Sequence, residues 1–193
     1  MSVFCRERFK ASRFLIISFI VVVLALFPFT VNPVSASGSH SARITLLTNR
    51  EYQDALLKNI REARKSILFA YYLFKTAPSS STNQPCRIAE ELVRAHHRGV
   101  DVTVILEASD EPDDPLNSVN RQTGAFLAAK GIRVFFDSPV KKSHMKVALI
   151  DGRYVFLGSH NLTQSALKYN NEVSVLVDSP EIAAEMNSFL HTL

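Results

Sequence analysis

The sequence predicts an α/β protein, a layered α-β-α sandwich around a mixed β-sheet, on three observations. Amphipathic stretches of helical period alternate with short apolar runs rich in β-branched and aromatic residues. Two of the helices end on a glycine that hands directly to a strand, at Gly99-Val100 and at Gly131-Ile132. An Asp-Gly pair at Asp151-Gly152 joins two further strands as an antiparallel hairpin, which makes the sheet mixed. A chain of 193 residues suffices for one such domain with a proper core and is too short for two of ordinary size.

Ahead of the domain lies an export segment. Arg6, Arg8, Lys10 and Arg13 precede an apolar run from Phe14 to Phe29, and Val34-Ser35-Ala36 offers a small-residue cleavage pattern with the cut after Ala36. The run falls short of the ~20 residues of a comfortable membrane span. Residues 1–36 therefore read as a signal peptide, with a retained signal anchor through residues 14–29 as the alternative; the basic flank argues against a buried core helix. The domain is expected to be exported, periplasmic or secreted, or else membrane-anchored by that segment. Removing residues 1–36 leaves 18 Lys and Arg against 17 Asp and Glu, so the basicity belongs to the leader. That balance gives no support to a sequence-blind polyanion binder. Cys5 leaves with the leader and Cys86 remains, which excludes an internal disulfide and a Cys-based zinc site; a buried free thiol is the plainer reading of Cys86.

Ser37 to Ala42 is a small, polar linker, and the domain spans residues 43–193. Arg43 to Leu47 reads as a strand, and Thr48-Asn49-Arg50-Glu51 as a capping box opening a helix on which Tyr52, Leu56, Ile60 and Ala63 recur at helical spacing. Ile67 to Phe74 suits a buried strand. A Ser/Pro-rich loop follows from Thr76 to Pro85, then a second helix with the stripe Ile88, Ala89, Leu92, Val93 and His96, then the continuous strand Val100 to Leu106. The acidic segment from Asp110 to Pro115 reads as a solvated loop, because its prolines and the lack of EF-hand spacing argue against Ca²⁺. His96 and His97 point about 100° apart on a helix and have no partner carboxylate pattern, so His96 is expected to pack and His97 to be solvated. A third helix is expected from about Asn120, handing over to a strand from Ile132 to Phe136. Val173 to Val177 alternates as the last strand. Ser179-Pro180-Glu181 then starts a helix that buries Ile182, Met186, Phe189 and Leu190.

The candidate chemistry lies between Ser143 and Glu172. His144 to Ile150 is a strand candidate, and a two-residue turn at Asp151-Gly152 sets Ile150 opposite Arg153. Counting back sets Ala148 opposite Val155, Lys146 opposite Leu157 and His144 opposite Ser159. The two-residue period puts His144 and Lys146 on one face. Asn161 is placed to cap a short helix with Gln164 at its third position, aiming free N–H groups at the same spot. These are the parts of an oxyanion or phosphate pocket. His144 can serve as nucleophile or acid–base group, Lys146 can neutralise non-bridging oxygens, and Ser159 and Asn161 can supply neutral hydrogen bonds. Glu172, starting the returning strand, is placed to orient the His144 ring through its other nitrogen. By spacing alone, an ordinary edge hairpin with a surface His and Lys fits as well.

Residue by residue, the stretch resembles the phospholipase D superfamily motif HxK(x4)D(x6)GSxN. His144, Lys146, Asp151, Gly158, Ser159 and Asn161 occupy every specified position, and Asn170-Asn171-Glu172 is similar to the N-x-E that follows in the family's longer pattern. The upstream layout fits the phospholipase D-like fold. The resemblance implies a two-step phosphodiester hydrolysis with no metal and no other cofactor. One motif histidine attacks phosphorus to give a phosphohistidine, and another protonates the leaving oxygen and then activates water. The resemblance also implies phosphate binding by Lys146, Ser159 and Asn161, ring orientation by Glu172, and a place for Asp151 among the catalytic residues, although the hairpin gives Asp151 a turn role that needs no chemistry. Long family members carry two motifs. Here His40, His96, His97, His160 and His191 all lack a lysine two positions on, so a homodimer with a shared active site is expected. Its two His144 side chains would face one phosphate in opposite protonation states, attainable for a group with pKa near ~6.5.

Lys141, Lys142, Lys146, Arg153 and Lys168 against Asp151 make the site region locally basic, suited to a nucleic-acid backbone or an anionic headgroup. Short single-motif members of the superfamily include exported bacterial endonucleases and membrane-tethered forms that resemble mitochondrial cardiolipin hydrolases. The Cys/His-rich zinc insertion of some animal members is absent here, and a cleavable leader leans toward the endonuclease. A phospholipase D acting on phosphatidylcholine or cardiolipin is the second reading. An inactive nucleic-acid-binding module is the third, and the intact His144 and Lys146 argue against it.

Overall fold

The strands are β1 (Arg43–Thr48), β2 (Ser66–Tyr71), β3 (Asp101–Leu106), β4 (Arg133–Phe136), β5 (Lys146–Ile150), β6 (Tyr154–Gly158) and β7 (Val173–Asp178). The helices are α1 (Arg50–Glu62), α2 (Gln84–His97), α3 (Pro115–Ala128), α4 (Gln164–Lys168) and α5 (Pro180–Leu190). These elements come from a computed structural model that describes residues 38–77, 82–111, 113–138 and 140–193. The leader expected over residues 1–36 lies outside the described residues.

One seven-stranded mixed sheet runs in the order β1-β7-β6-β5-β2-β3-β4. Strands β2, β3 and β4 are parallel, while β5, β6, β7 and β1 continue the sheet antiparallel. Helices α1 to α4 cover one face, where Leu56, Ile60, Phe69, Leu92, Val104, Leu127 and Phe156 are fully buried in one cluster. The opposite face carries α5, whose Ala183 and Leu190 pack on Val147, Leu149, Val155 and Val177. This is the layered sandwich with a mixed sheet that the element pattern predicts. It forms because each helix has one apolar stripe that loses its contact with water only against the sheet.

Several boundaries differ from the sequence reading for identifiable reasons. Helix α3 starts at Pro115, before the expected Asn120, because Asp114 is its cap and accepts from Leu116 N at 2.9 Å. The acidic segment therefore ends as a helix start, with proline in the first turn. In the Thr48–Glu51 box, Thr48 donates both its N–H and its hydroxyl to Glu51, at 2.9 and 2.7 Å, and Asn49 is the capping residue without a side-chain cap bond. On α5, Phe189 faces outward at 51% exposure, and Ile182 and Met186 are only half-buried. Cys86 is also half-buried. Its Sγ accepts from Ala77 N at 3.3 Å, and burial pushes the thiol pKa up. His96 is half-buried against Gly131 and His97 is exposed, and among the described residues no group of His, Cys, Asp and Glu could hold a metal ion.

The hairpin register differs by one residue. The turn itself is as expected: Asp151 and Gly152 both have positive φ, 56° and 63°, and Arg153 N donates to Ile150 O at 3.1 Å. Arg153, however, bulges out of the ladder and gives its carbonyl to Ser179 N at 3.1 Å. Pairing resumes as Ile150 with Tyr154, Leu149 with Val155, Ala148 with Phe156 and Val147 with Leu157. His144 thus lies outside the ladder and does not face Ser159 across it.

Pairing directions bring the C-terminal ends of β1, β2, β3, β4 and β6, and the N-terminal ends of β5 and β7, to a single edge of the sheet. In open α/β sheets that edge, beyond the carboxyl ends of the parallel strands, is where ligands bind.

Candidate active site

Lys146 opens β5 opposite Tyr71 and shares its face with Ala148 and Ile150, so it points to the helix-covered side and is only 7% exposed. Its Nζ donates to the His144 carbonyl at 2.9 Å and lies 3.2 Å from His144 Nδ1. His144 is exposed. The Tyr72 ring meets the imidazole with centroids 4.4 Å apart, and Lys146 Nζ sits 5.0 Å from the centre of the same ring. Desolvation, then the Lys146 and Lys142 charges, hold the His144 pKa below the ordinary imidazole value. Burial lowers the Lys146 pKa, and Glu172 opposes that shift. An ammonium is a donor only, so its contact makes Nδ1 the acceptor and leaves the neutral ring's proton on Nε2.

Across the sheet, Gly158 permits the close approach of β6 to β7. A Cβ at that position would lie 2.3 Å from Ser174 Oγ and 2.4 Å from Ser174 Cα, where no side chain fits. Ser159, next in the chain, donates its hydroxyl to Glu172 Oε2 and accepts from Val173 N at 3.1 Å. Asn170 Nδ2 donates to the other Glu172 oxygen at 3.0 Å. Asn49 holds the Glu172 main chain from both sides, donating its N–H to Glu172 O and accepting Glu172 N–H on Oδ1, each at 3.0 Å. Beneath them, fully buried His160 bonds Ser174 Oγ at 2.7 Å and donates Nε2–H to the Asn49 carbonyl at 2.9 Å. Its ring stacks on Tyr52 at 4.2 Å. The carbonyl only accepts, so Nε2 carries a proton; burial lowers the pKa and favours the neutral ring, in which Nδ1 accepts from the Ser174 hydroxyl.

The structure brings His144, Lys146, Ser159, Asn161 and Glu172 to one edge, with four corrections to the sequence reading. Asn161 is not a helix cap: Thr163 caps α4, its hydroxyl oxygen accepting from Ala166 N at 3.1 Å, and that helix has only five residues. Asn161 Oδ1 is instead buried without a hydrogen-bond partner among the described residues, an unused polar group at the site. Glu172 binds Ser159 and Asn170, not the His144 ring of its own chain. Asp151 lies at the far end of β5, roughly 16 Å along the strand from Lys146 at ~3.3 Å per residue. There its carboxylate accepts the main-chain N–H groups of Arg64, Lys65 and Ser66 at 2.7–3.1 Å, a structural role. Arg153 pairs with Asp178 at 2.5 Å on that same far side and adds no charge to the site.

Residues absent from the sequence reading complete the edge. Glu107, 2% exposed, accepts Ser143 N at 2.7 Å, and Asp137 accepts the Ser143 hydroxyl, so two acids anchor the residue before His144. Burial raises the Glu107 pKa, and Asp137 adds to the shift. The signal was available: Tyr72, Glu107 and Asp137 each follow directly on the C-terminal end of a parallel strand.

Comparison with known proteins places this geometry. Residues 56–193 match the family described as "Cardiolipin synthase, PLD-like domain". Cardiolipin synthase B of Escherichia coli K12 is 30% identical over 134 residues, 67% of this chain and 30% of that protein. Mitochondrial cardiolipin hydrolase of Chlamydomonas reinhardtii is 34% identical over 103 residues, 53% of this chain and 44% of that protein. The chain thus spans less than half the length of these curated relatives. The crystal structure of the phospholipase D family member Nuc from Salmonella typhimurium superimposes with a TM-score of 0.62 at 26% identity, covering 79% of this chain and 91% of Nuc. By fold, motif and family match, the chain belongs to the phospholipase D superfamily of phosphodiesterases.

Proposed function

We propose that this protein hydrolyses phosphodiester bonds in nucleic acid through a phosphohistidine on His144, in a site completed by a second copy of the chain. One observation carries the proposal. Among the described residues, one sheet edge carries a lysine, a serine, an asparagine and a glutamate together with one exposed histidine of the motif, whereas a two-step displacement needs both a nucleophile and an acid. In the first step His144 Nε2 of one subunit bonds to phosphorus as the bond to the leaving oxygen breaks, and His144 of the other subunit donates the proton that oxygen takes. In the second, that same histidine takes a proton from water, whose oxygen attacks phosphorus and breaks the P–N bond. Lys146 and Asn161 face the non-bridging oxygens, and Ser159 joins them when its hydroxyl turns from Glu172. The acid is the imidazolium, which carries a proton on Nε2 and becomes the neutral ring once it has given it up. The nucleophile needs its proton on Nδ1, held by an acceptor from the second subunit. Neither step calls on a metal ion.

Nucleic acid is favoured by the resemblance of the motif at His144–Asn161 to that of exported endonucleases, and the leader expected over residues 1–36 would suit action outside the cytoplasm or at a membrane through residues 14–29. Phospholipid is the second reading, favoured by the description of the matching family and by the similarity to a cardiolipin hydrolase. The purified protein and its His144→Asn variant, assayed with single- and double-stranded nucleic acid, phosphatidylcholine and cardiolipin, discriminate them. Turnover of nucleic acid that survives chelator and is lost by at least about a thousandfold in His144→Asn is expected. Turnover of phospholipid alone contradicts the substrate, loss on chelation contradicts the mechanism, and binding without turnover supports the inactive module.

A further inference from the structure

A groove beside the site takes no part in the chemistry above. Residues 48–51, at the start of α1, form one wall and residues 166–171, the end of α4 and the turn after it, the other, around about 460 Å³. A recess of about 210 Å³ continues it toward Arg87 and shares Arg50 and Lys168 with it. The groove adjoins the site directly, because Asn49 and Asn170 on its walls are the residues that clasp Glu172, and Glu172 in turn holds Ser159.

Its chemistry is that of a cradle for a single strand. Arg50 and Lys168 are exposed and form no ion pair among the described residues, and the Arg87 side chain donates to Gln84 Oε1 at 2.9 Å. Glu51 is already occupied by the Thr48 N–H and hydroxyl, which leaves Asp54 as the uncommitted carboxylate against three cations. Tyr169 stands 68% exposed on the wall, with Lys168 Nζ 5.3 Å from the centre of its ring. A tyrosine this exposed contributes little to the core; an open aromatic face beside cations is what successive bases and phosphates of an unpaired strand bind.

We propose that this groove is an accessory subsite for nucleotides flanking the scissile phosphate, in which Arg50 and Lys168 take a neighbouring phosphate and Tyr169 stacks on a base. The inference rests on the nuclease reading of the site and narrows its substrate to strands with free bases, single-stranded nucleic acid or frayed ends. A duplex keeps its bases stacked inside and offers Tyr169 no face. A phospholipid offers Arg50 a phosphate but Tyr169 no ring.

The test uses the full chain, with Tyr169→Ala and Arg50→Ala, on bis(p-nitrophenyl) phosphate, on a single-stranded oligonucleotide of about eight nucleotides and on its blunt duplex. Binding of the labelled single strand is measured in parallel by anisotropy on His144→Asn with and without Tyr169→Ala. Each variant should lose about tenfold more kcat/KM on the single strand than on the small diester, mostly through KM, with matching weaker binding. The wild type should prefer the single strand to the duplex. Equal losses on both substrates, or an undiminished rate on the single strand, overturn the subsite and leave the nuclease reading standing. A wild type that hydrolyses the small diester or a phospholipid but neither binds nor cleaves the oligonucleotide overturns both.

Discussion

At His144 the decisive quantity is where the protons sit. In the free subunit three influences act the same way: desolvation by the neighbouring groups, Lys146 Nζ 3.2 Å from Nδ1, and the Lys142 charge all disfavour the imidazolium. A shared site needs one His144 neutral and one protonated. Well below the lowered pKa both are protonated and the nucleophile is lost; well above it both are neutral and the acid is lost. The profile of kcat/KM against pH should therefore be a bell with its maximum below the ordinary imidazole value of ~6.5. Lys142→Ala removes one of the repelling charges and should move that maximum to higher pH. A maximum on the alkaline side of neutrality, or one indifferent to Lys142, contradicts this account. Lys146 is held by its burial and by the His144 carbonyl, so its charge is delivered at a fixed point; the Tyr72 ring against both side chains keeps that arrangement from collapsing into solvent.

Among the elements, the β6–β7 junction links sequence to site most tightly. Gly158 is required by contact: any Cβ meets the Ser174 main chain at 2.4 Å. Gly158→Ala should force the two strands apart at a cost of about 1–3 kcal/mol in overpacking. It should also lower activity by separating Ser159 from Glu172, read out by urea unfolding alongside an activity assay. Unchanged stability would mean the strands do not approach as described. This junction also marks the boundary of what the sequence discloses. The Asp151-Gly152 turn was legible because positive φ at both positions is a local preference of those residues. The register was not, because Arg153 leaves the ladder to bond Ser179, a contact 26 residues on that no local pattern encodes. His160 reads as a loop residue between Ser159 and Asn161, and its burial is set by Asn49, 111 residues away, and by Tyr52. The start of α3 was legible: Asp114-Pro115 carries the same cap-and-proline signature as Ser179-Pro180 at α5, obscured only by the acidic residues around it.

Across the whole molecule, a mixed sheet delivers its polar strand ends to one edge and keeps the opposite edge for structure. Asp151, Arg153 and Asp178 tie the turns there, while His144, Lys146, Ser159 and Glu172 gather at the other edge. The alternation of helices and strands was enough to read the sandwich. The insertion of β5, β6 and β7 between β2 and β1 was not readable, since strand order is fixed by pairings between distant segments. Among the described residues no second histidine has a lysine two positions on to match His144 and Lys146, and that deficit is the basis for proposing a two-fold partner. The most direct test mixes wild-type subunits with His144→Asn subunits, allows exchange, and follows phosphodiester hydrolysis as the wild-type fraction varies. If both His144 side chains serve one shared site, mixed dimers are inactive and activity falls as the square of the wild-type fraction, to about one quarter at an equal mixture. A linear fall, with mixed dimers keeping half the activity, would mean that each subunit works alone.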